Sequence, residues 1–185
     1  MAKQYQSLNP KLRAFILDQK IFFTASAAKS SRVNVSPRST EHLKVVDDNC
    51  IIYLDQTGSG NETAAHIEAR GQMTIMFVAF EEPPQILRLY GRGEVIHREG
   101  GEYSALLSTW FENNTPCGAR QIVRLAFDLV QTSCGFGVPL FDYKSERETL
   151  QRWAASKTEA EIEDFWRTKN QTSLDGLPSH IFKDV

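Results

Sequence analysis

The feature that most constrains the fold is a pair of long strand-like segments separated by four residues. Residues 73–80 form a nearly continuous apolar run, and residues 85–96 are rich in strand-forming side chains. The Glu-Glu-Pro-Pro turn at 81–84 is too short for the crossover helix that a parallel pair requires, so the two strands are predicted to be antiparallel. The rest of the chain is expected to extend this sheet.

Other segments supply further strands and two helices. Strand patterns cover residues 21–27, 33–36, 50–54 and 119–130, and helical patterns begin at Asn9-Pro10 and span 101–111. With 185 residues, 41% of them hydrophobic, the chain can bury a substantial core. The short connections make an antiparallel barrel of six strands more plausible than a parallel α/β sheet.

Glycines within the long strand at 85–96 carry a geometric signal. Gly91 and Gly93 are spaced as they are where a strand bends or contains a bulge, which is common where a sheet closes into a barrel.

The last quarter of the chain differs in character. Charged helices are predicted at 146–155 and 158–169, the second with Thr158 and Glu161 in capping-box register. Their apolar side chains are expected to pack against the main domain; these are Trp153, Ile162, Phe165 and Trp166. The predicted organisation is therefore a barrel domain over 1–140 and a helical extension over 141–185.

Charge and composition exclude several classes of function. With 21 basic and 23 acidic residues and no basic stripe, the chain is not expected to bind nucleic acid. It has no apolar run of membrane-spanning length and no apolar core of a signal peptide, so a cytoplasmic protein that does not enter the membrane is expected. The three cysteines and four histidines are scattered, which predicts neither disulfides nor a metal site.

The loop within 53–71 is the first candidate for a binding site. Ser59 and Glu62 have capping-box spacing, Asn61 is a second possible cap, and Gly71 suits the left-handed position after a helix. A helix start of this kind attracts phosphate or carboxylate groups. The alternative is an ordinary capped helix that binds nothing, and the loop alone does not decide between them.

A strand with one polar face is the second candidate. Asn34, Ser36 and Arg38 would share one face of the strand that begins at residue 33, opposite Val33 and Val35. The polar face either is a solvated edge or faces the ligand of the Ser59 loop.

Several of these segments together resemble a known family. The resemblance rests on QKIFFTA (19–25), VNVSP (33–37), LDQTGSGNET (54–63), ILRLYG (86–91), SCGFGVP (133–139) and NQTSLDGLP (170–178). The chain resembles the pyridoxamine 5′-phosphate oxidase-like family of FMN-binding split barrels. That resemblance implies a mainly β fold, a six-stranded antiparallel split β-barrel that forms a homodimer with FMN sites at the subunit interface.

The resemblance also implies where FMN binds. Asn34, Ser36 and Arg38 would line the flavin and its ribityl chain, and the loop after the third strand would hold the phosphate. The implied cofactor-binding residues are Asn34, Ser36, Arg38, Asp55, Ser59, Gly60, Asn61, Thr63, Arg70 and Arg88.

One departure from the family concerns the phosphate. Pyridoxamine phosphate oxidases carry an Arg-Lys pair directly after the loop serine, where this chain has Gly60-Asn61. Arg38, Arg70 or Arg88 of a partner chain are the candidates to replace that charge, because arginine binds phosphate with two parallel hydrogen bonds.

The function implied is that of an FMN-dependent oxidoreductase acting on an unknown small molecule. The family's Arg-x-His substrate motif is not evident near the C-terminus, so vitamin B6 oxidation is not predicted. Alternatives are a flavin-binding or sensing module without turnover, and a split-barrel dimer that holds a deazaflavin, haem or no cofactor.

No catalytic residue is assigned from the sequence. His66, on the helix after the loop, is a candidate acid or base, with a packing role as the alternative. Cys134 is a candidate redox thiol, although burial as a small apolar side chain is the expected role.

Overall fold

The computed structural model describes residues 2–182 and is mainly β. The strands are β1 Lys3–Tyr5, β2 Ile21–Ala27, β3 Asn34–Ser39, β4 Leu43–Asp47, β5 Cys50–Gln56, β6 Gln72–Val78, β7 Ile86–His97 and β8 Ala119–Ser133. The helices are α1 Pro10–Asp18, α2 Glu62–Glu68, α3 Gly101–Trp110, α4 Thr149–Ala155 and α5 Glu159–Lys169.

All strands join one curled antiparallel sheet. Its order is β3-β2-β6-β7-β8-β5-β4, and β1 pairs with the end of β8. The predicted antiparallel pairing of β6 with β7 is confirmed, and the architecture is that of a split barrel.

The sheet has eight strands, whereas six were predicted. The missed strands are β1, which has only three residues, and β4, which follows β3 after a single 3-10 turn and precedes β5 after two residues. β1 is too short to show a clear period of two, and in β4 the alternation of Leu43, Lys44 and Val45 is broken by Val46.

The core fixes the strands that lead to the site. Inside the barrel Phe22, Ile51, Phe77 and Leu125 are almost completely buried, and α1 closes one end with Leu12 and Ile16. A second cluster lies between α3 and the other face of the sheet and includes Ile52, Leu54, Ile96, Tyr103 and Ile122. Because β5 is buried on both faces, its C-terminal end is held rigidly.

Both strand glycines have a steric reason. The β7–β8 register shifts between Tyr90 and Gly91, where a Cβ on Gly91 would lie 2.0 Å from the carbonyl oxygen of Ala126. The predicted bulge is therefore confirmed at Gly91. At Gly93 a Cβ would lie 2.6 Å from the side chain of Ile67, so this glycine makes room for α2.

The predicted capping box of Ser59 and Glu62 is wrong. Asn61 occupies the N-cap position of α2, yet its side chain makes no cap hydrogen bond, because it is engaged by neighbouring residues in the interior. The Glu62 carboxylate instead accepts a hydrogen bond from the Leu174 backbone N–H at 2.9 Å, which ties α2 to the C-terminal extension.

The end of α2 also differs from expectation. Arg70, not Gly71, is the left-handed residue, with φ of 56°. The Arg70 N–H bonds the Ile67 carbonyl and the Gly71 N–H bonds the His66 carbonyl, which is a Schellman motif. Gly71 is needed for a different reason, since a Cβ there would lie 2.3 Å from the carbonyl oxygen of Ala27.

The C-terminal extension contains both helices predicted there. The capping box of Thr158 and Glu161 is confirmed, and α4 begins at Thr149 instead of residue 146. Ile162 and Trp166 are buried together with Ile181. Within residues 2–182, no helix is both long enough and apolar enough to cross a membrane.

Candidate functional site

A cleft of about 640 Å³ opens between β3, the loop from β5 to α2, and the segment that leads into α4. Its lining includes many of the residues implied by the resemblance: Asn34, Ser36, Arg38, Ser59, Gly60 and Thr63. Asp55 and Asn61 are buried beneath it. The polar face of β3 and the Ser59 loop therefore border the same cleft.

Two of the implied residues lie elsewhere in this protomer. Arg70 is exposed at the opposite end of α2 from Asn61. Arg88, on β7, donates a hydrogen bond to Ser133 Oγ at 3.1 Å. Neither contributes to the lining of the cleft.

The polar face of β3 points into the cleft. Asn34 Nδ2 donates to Thr63 Oγ1 at 3.2 Å, and Ser36 Oγ donates to Asn34 Oδ1 at 3.2 Å. The exposed residues of this strand are Val35, Pro37 and Ser39, and Val33, directly before the strand, is exposed as well. The polar residues therefore form a wall of the cleft at the edge strand of the sheet, and that they face a ligand there stays a prediction.

Asp55, at the end of β5, holds two arginines at the floor of the cleft. Arg38 Nη1 donates to Asp55 Oδ1, and Arg120 Nε donates to Asp55 Oδ2 at 2.8 Å. Burial raises the pKa of Asp55, but the positive charges of Arg120 and Arg38 outweigh it and hold the pKa below its ordinary value. The carboxylate is thus ionised, and the three side chains together carry one net positive charge.

Arg38 is stabilised in its charged form by the same contact. Burial lowers the pKa of Arg38, and the Asp55 carboxylate more than offsets this, so the pKa is raised. The guanidinium also lies over the Tyr53 ring, 4.9 Å from its centre. These contacts fix the direction in which Arg38 faces the cleft.

Arg120 is the site residue that the sequence reasoning missed. Its Nη1 donates to the Gly60 carbonyl at 2.9 Å and to Asn170 Oδ1 at 2.8 Å. Its Nη2 has no hydrogen-bond partner among residues 2–182 and lies 3.9 Å from the position that a Cβ on Gly58 would take. One donor of a buried, fixed guanidinium is therefore available at the cleft.

A bulge explains why Arg120 was not found. Asp55 pairs with Gln121 and Gln56 pairs with Ala119, so Arg120 is the extra residue in β8. The bulge lets consecutive residues both reach Asp55, since Gln121 Nε2 also donates to Asp55 Oδ2 at 2.8 Å. The only signal in the sequence was an arginine at the start of the apolar strand β8. Its partner, Asp55, follows from the register between β5 and β8, which cannot be read from the sequence.

His42 is a second lining residue without a role in the sequence-based prediction. It ends the 3-10 turn after β3, and its Nε2 is buried with no hydrogen-bond partner in the described chain. Burial lowers the pKa of His42, although the Glu41 carboxylate opposes this shift. A neutral imidazole therefore faces the cleft at neutral pH.

The two candidates for chemistry lie outside the cleft. His66 is buried, and its Nδ1 is 3.0 Å from Ser26 Oγ, so it packs between α2 and β2. The expected burial of Cys134 is wrong: the residue is exposed, because β8 ends at Ser133 and the chain leaves the sheet there. Within residues 2–182, no group of three or more His, Cys, Asp or Glu side chains is placed to hold a metal ion.

Comparison with known proteins agrees with this fold. The family model of pyridoxamine 5′-phosphate oxidase matches residues 8–134, which leaves the C-terminal extension outside the match. A relative in Aspergillus flavus, the pyridoxamine 5′-phosphate oxidase family protein ustO, is 35% identical over 190 residues. That alignment covers 94% of this chain and 76% of ustO.

Solved structures share the fold at low sequence identity. HupZ from group A Streptococcus has a TM-score of 0.54 at 20% identity, covering 66% of this chain and 91% of HupZ. The heme storage protein HutZ from Vibrio cholerae has a TM-score of 0.51 at 16% identity, covering 70% of this chain and 97% of HutZ. The family model matches residues 8–134 and ustO is 35% identical over 94% of the chain, so the chain belongs to the pyridoxamine 5′-phosphate oxidase family.

Proposed function

We propose that this protein binds FMN in the cleft and acts as an FMN-dependent oxidoreductase on a small molecule. The observation that carries the proposal is the pair of arginines, Arg38 and Arg120, held by the shared carboxylate of Asp55 at the floor of the cleft. The buried group of Asp55, Arg38 and Arg120, with one net positive charge, suits a phosphate group, which arginine binds through parallel N–H donors.

The other residues of the cleft fit the same ligand. Ser59 is exposed beside Gly60 on the loop, and Asn34 and Ser36 offer polar side chains along one wall. Leu150 and Leu174 add exposed apolar side chains to the lining, which a planar ring system could contact. The volume of about 640 Å³ falls in the range of roughly 300–1,000 Å³ that is typical of small-molecule sites.

The charge that the family's Arg-Lys pair supplies comes here from other strands. Gly60 and Asn61 carry none, whereas Arg38 extends from β3 and Arg120 from β8. We infer that Arg120 takes the place of the missing pair, because its Nη2 is the donor left available.

The bound flavin would supply electron and hydride transfer, and the protein would orient it. Arg120 and Ser59 would hold the phosphate, and Asn34 and Ser36 would contact the ribityl chain. His42 Nε2 is buried, makes no hydrogen bond within residues 2–182 and lies 3.8 Å from Glu41 Oε2. It would donate a hydrogen bond or a proton to the substrate, or accept one from it.

We further propose that the protein is a homodimer in which Arg88 of one chain reaches the cofactor site of the other. Within one protomer Arg88 lies on β7, outside the cleft lining. Val33 and Val35 are exposed at the edge of the sheet that β3 forms, where a partner chain would cover them.

The experiment that tests FMN binding compares FMN with riboflavin, which lacks the phosphate, by titration calorimetry. We expect FMN to bind about 100-fold more tightly, since charge-assisted hydrogen bonds contribute about 1.5–3 kcal/mol each. Arg120→Gln should reduce this preference at least about tenfold, which corresponds to about 1.4 kcal/mol.

A matched control lies on the same strand. Arg124 pairs with Glu94 and Glu102 at the surface, so Arg124→Gln should leave the FMN preference unchanged. Wild-type protein that does not bind FMN, or binds both flavins equally, would refute the proposal.

The absorption spectrum of the native protein distinguishes bound flavin from deazaflavin and haem. Reduction of bound flavin by nicotinamide cofactors distinguishes an oxidoreductase from a module without turnover.

A further inference from the structure

The C-terminal extension reaches the floor of the cleft through one buried residue. Asn170 follows α5 directly and is fully buried. Its Oδ1 accepts a hydrogen bond from Arg120 Nη1 at 2.8 Å, and its Nδ2 donates to the Gly58 carbonyl at 3.0 Å. One amide side chain thus joins the extension to both β8 and the loop after β5.

The position of Asn170 is itself fixed from two sides. Its backbone carbonyl accepts a hydrogen bond from Ser179 Oγ at 2.6 Å. One turn earlier, Trp166 Nε1 donates to Thr57 Oγ1 at 2.8 Å, and Thr57 donates to the Gly118 carbonyl at 2.7 Å. The end of α5 is therefore anchored to the two strands that border the cleft floor.

These contacts determine how Arg120 presents its charge. Nε is bound by Asp55, and Nη1 is shared between the Gly60 carbonyl and Asn170 Oδ1, so the guanidinium cannot rotate without losing buried hydrogen bonds. Nη2 is the remaining donor nitrogen of the guanidinium and is available to a ligand in the cleft. The third acceptor, Asn170 Oδ1, belongs to a neutral amide. It therefore orients the Arg120 guanidinium without placing a second negative charge beside it.

We propose that Asn170 is a positioning residue for the cofactor phosphate, and that the C-terminal extension completes the binding site by aiming Arg120 at it. This inference rests on the proposed function. Asn170 touches Arg120 and the Gly58 carbonyl, and it acts on the ligand through them.

The test measures the ratio of riboflavin to FMN dissociation constants in the full-length protein. Asn170→Ala should lower this ratio about tenfold, because Arg120 loses the acceptor that orients it. Asn170→Asp keeps the size and an acceptor but places a second carboxylate on Arg120, so the ratio should fall at least as far. The ratio isolates the contribution of the phosphate, because FMN and riboflavin share the rest of the molecule. A purely structural loss of the extension would weaken the binding of both flavins and leave the ratio unchanged.

Thr158→Ala is the matched control. It removes the capping box at the N-terminal end of the same helix, away from Asn170 and Arg120, so it should lower the melting temperature while the ratio stays within about twofold of wild type. If Asn170→Ala does not fold, the ratio measured for Asn170→Asp tests the proposal in its place, against the same expected tenfold decrease.

The outcomes separate the two proposals. Wild-type protein without a preference for FMN overturns the proposed function. Wild-type protein with the preference, combined with folded Asn170 variants that retain it within twofold, overturns the positioning role alone.

Discussion

At the scale of single residues, the buried carboxylate of Asp55 organises the site. It is 1% exposed and accepts hydrogen bonds from Arg38, Arg120 and Gln121. A buried ion group of this kind depends on every member, because removal of one partner leaves an uncompensated charge. The arrangement holds two cations close together, which a ligand anion would then stabilise.

Substitution of Asp55 should therefore destabilise the protein in a pH-dependent way. Asp55→Asn should lower the free energy of unfolding by about 3–5 kcal/mol at neutral pH. The folded-state pKa of Asp55 is lowered, so its stabilising effect is complete above the unfolded value of about 3.9 and is lost as the pH falls through the folded value. Urea denaturation of both proteins from pH 7 down to pH 3 should show the difference shrinking in acid.

Asp48 supplies the control for this prediction. It pairs with Arg13 at the surface, where its side chain is 63% exposed, so Asp48→Asn should change stability by less than about 1 kcal/mol. A wild-type advantage over Asp55→Asn that is constant across the pH range would show that the carboxylate is not the ionised group described.

At the scale of elements, β7 is shaped by two glycines with different neighbours. Gly91→Ala would press a methyl group against the backbone of β8, whereas Gly93→Ala would press it against the flexible side chains of Ile67 and Met73. We expect losses of about 3 kcal/mol or more for Gly91→Ala and about 1 kcal/mol for Gly93→Ala. Urea denaturation measures both.

A double-mutant cycle identifies the contact at Gly93. Ile67→Ala should cost less stability in the Gly93→Ala background than in wild type, because the added methyl fills part of the space. Additive effects would mean that α2 does not press on β7 at this position.

The elements also show which parts of the site were predictable. The wall formed by Asn34, Ser36 and Arg38 follows from the period of two in a strand, and the β6–β7 pairing follows from the short connection that contains the Glu-Glu-Pro-Pro turn. Arg120 was not predictable in this way, because its role depends on a bulge between β5 and β8. Asn170 was even less so, since it reaches the site only through the tertiary docking of α5.

At the scale of the whole molecule, the proposed dimer makes a prediction about shared sites. Arg88→Ala and Arg120→Gln should each weaken FMN binding in their own homodimers. When the two variants are co-expressed, one site of each mixed dimer receives Arg88 and Arg120 from different chains and is intact. Calorimetry of the purified mixed dimers should then find tight FMN binding at about half of their sites.

Two results would contradict this arrangement. A monomeric mass by light scattering would refute the dimer, and mixed dimers without a tight site would show that Arg88 does not act across the interface. Arg92→Ala, on the exposed part of the same strand, is the control and should bind FMN as wild type does.

The hydrogen bond from Trp166 to Thr57 has an optical consequence. The indole of Trp166 is buried and donates its hydrogen bond to Thr57, a residue of the cleft lining that directly precedes Gly58 and Ser59. Indoles emit light in the range that oxidised flavins absorb, and energy transfer between them is efficient at short distances. The chain thus contains its own fluorescent donor, whose emission would report binding of the proposed flavin as well as the docking of the last helix.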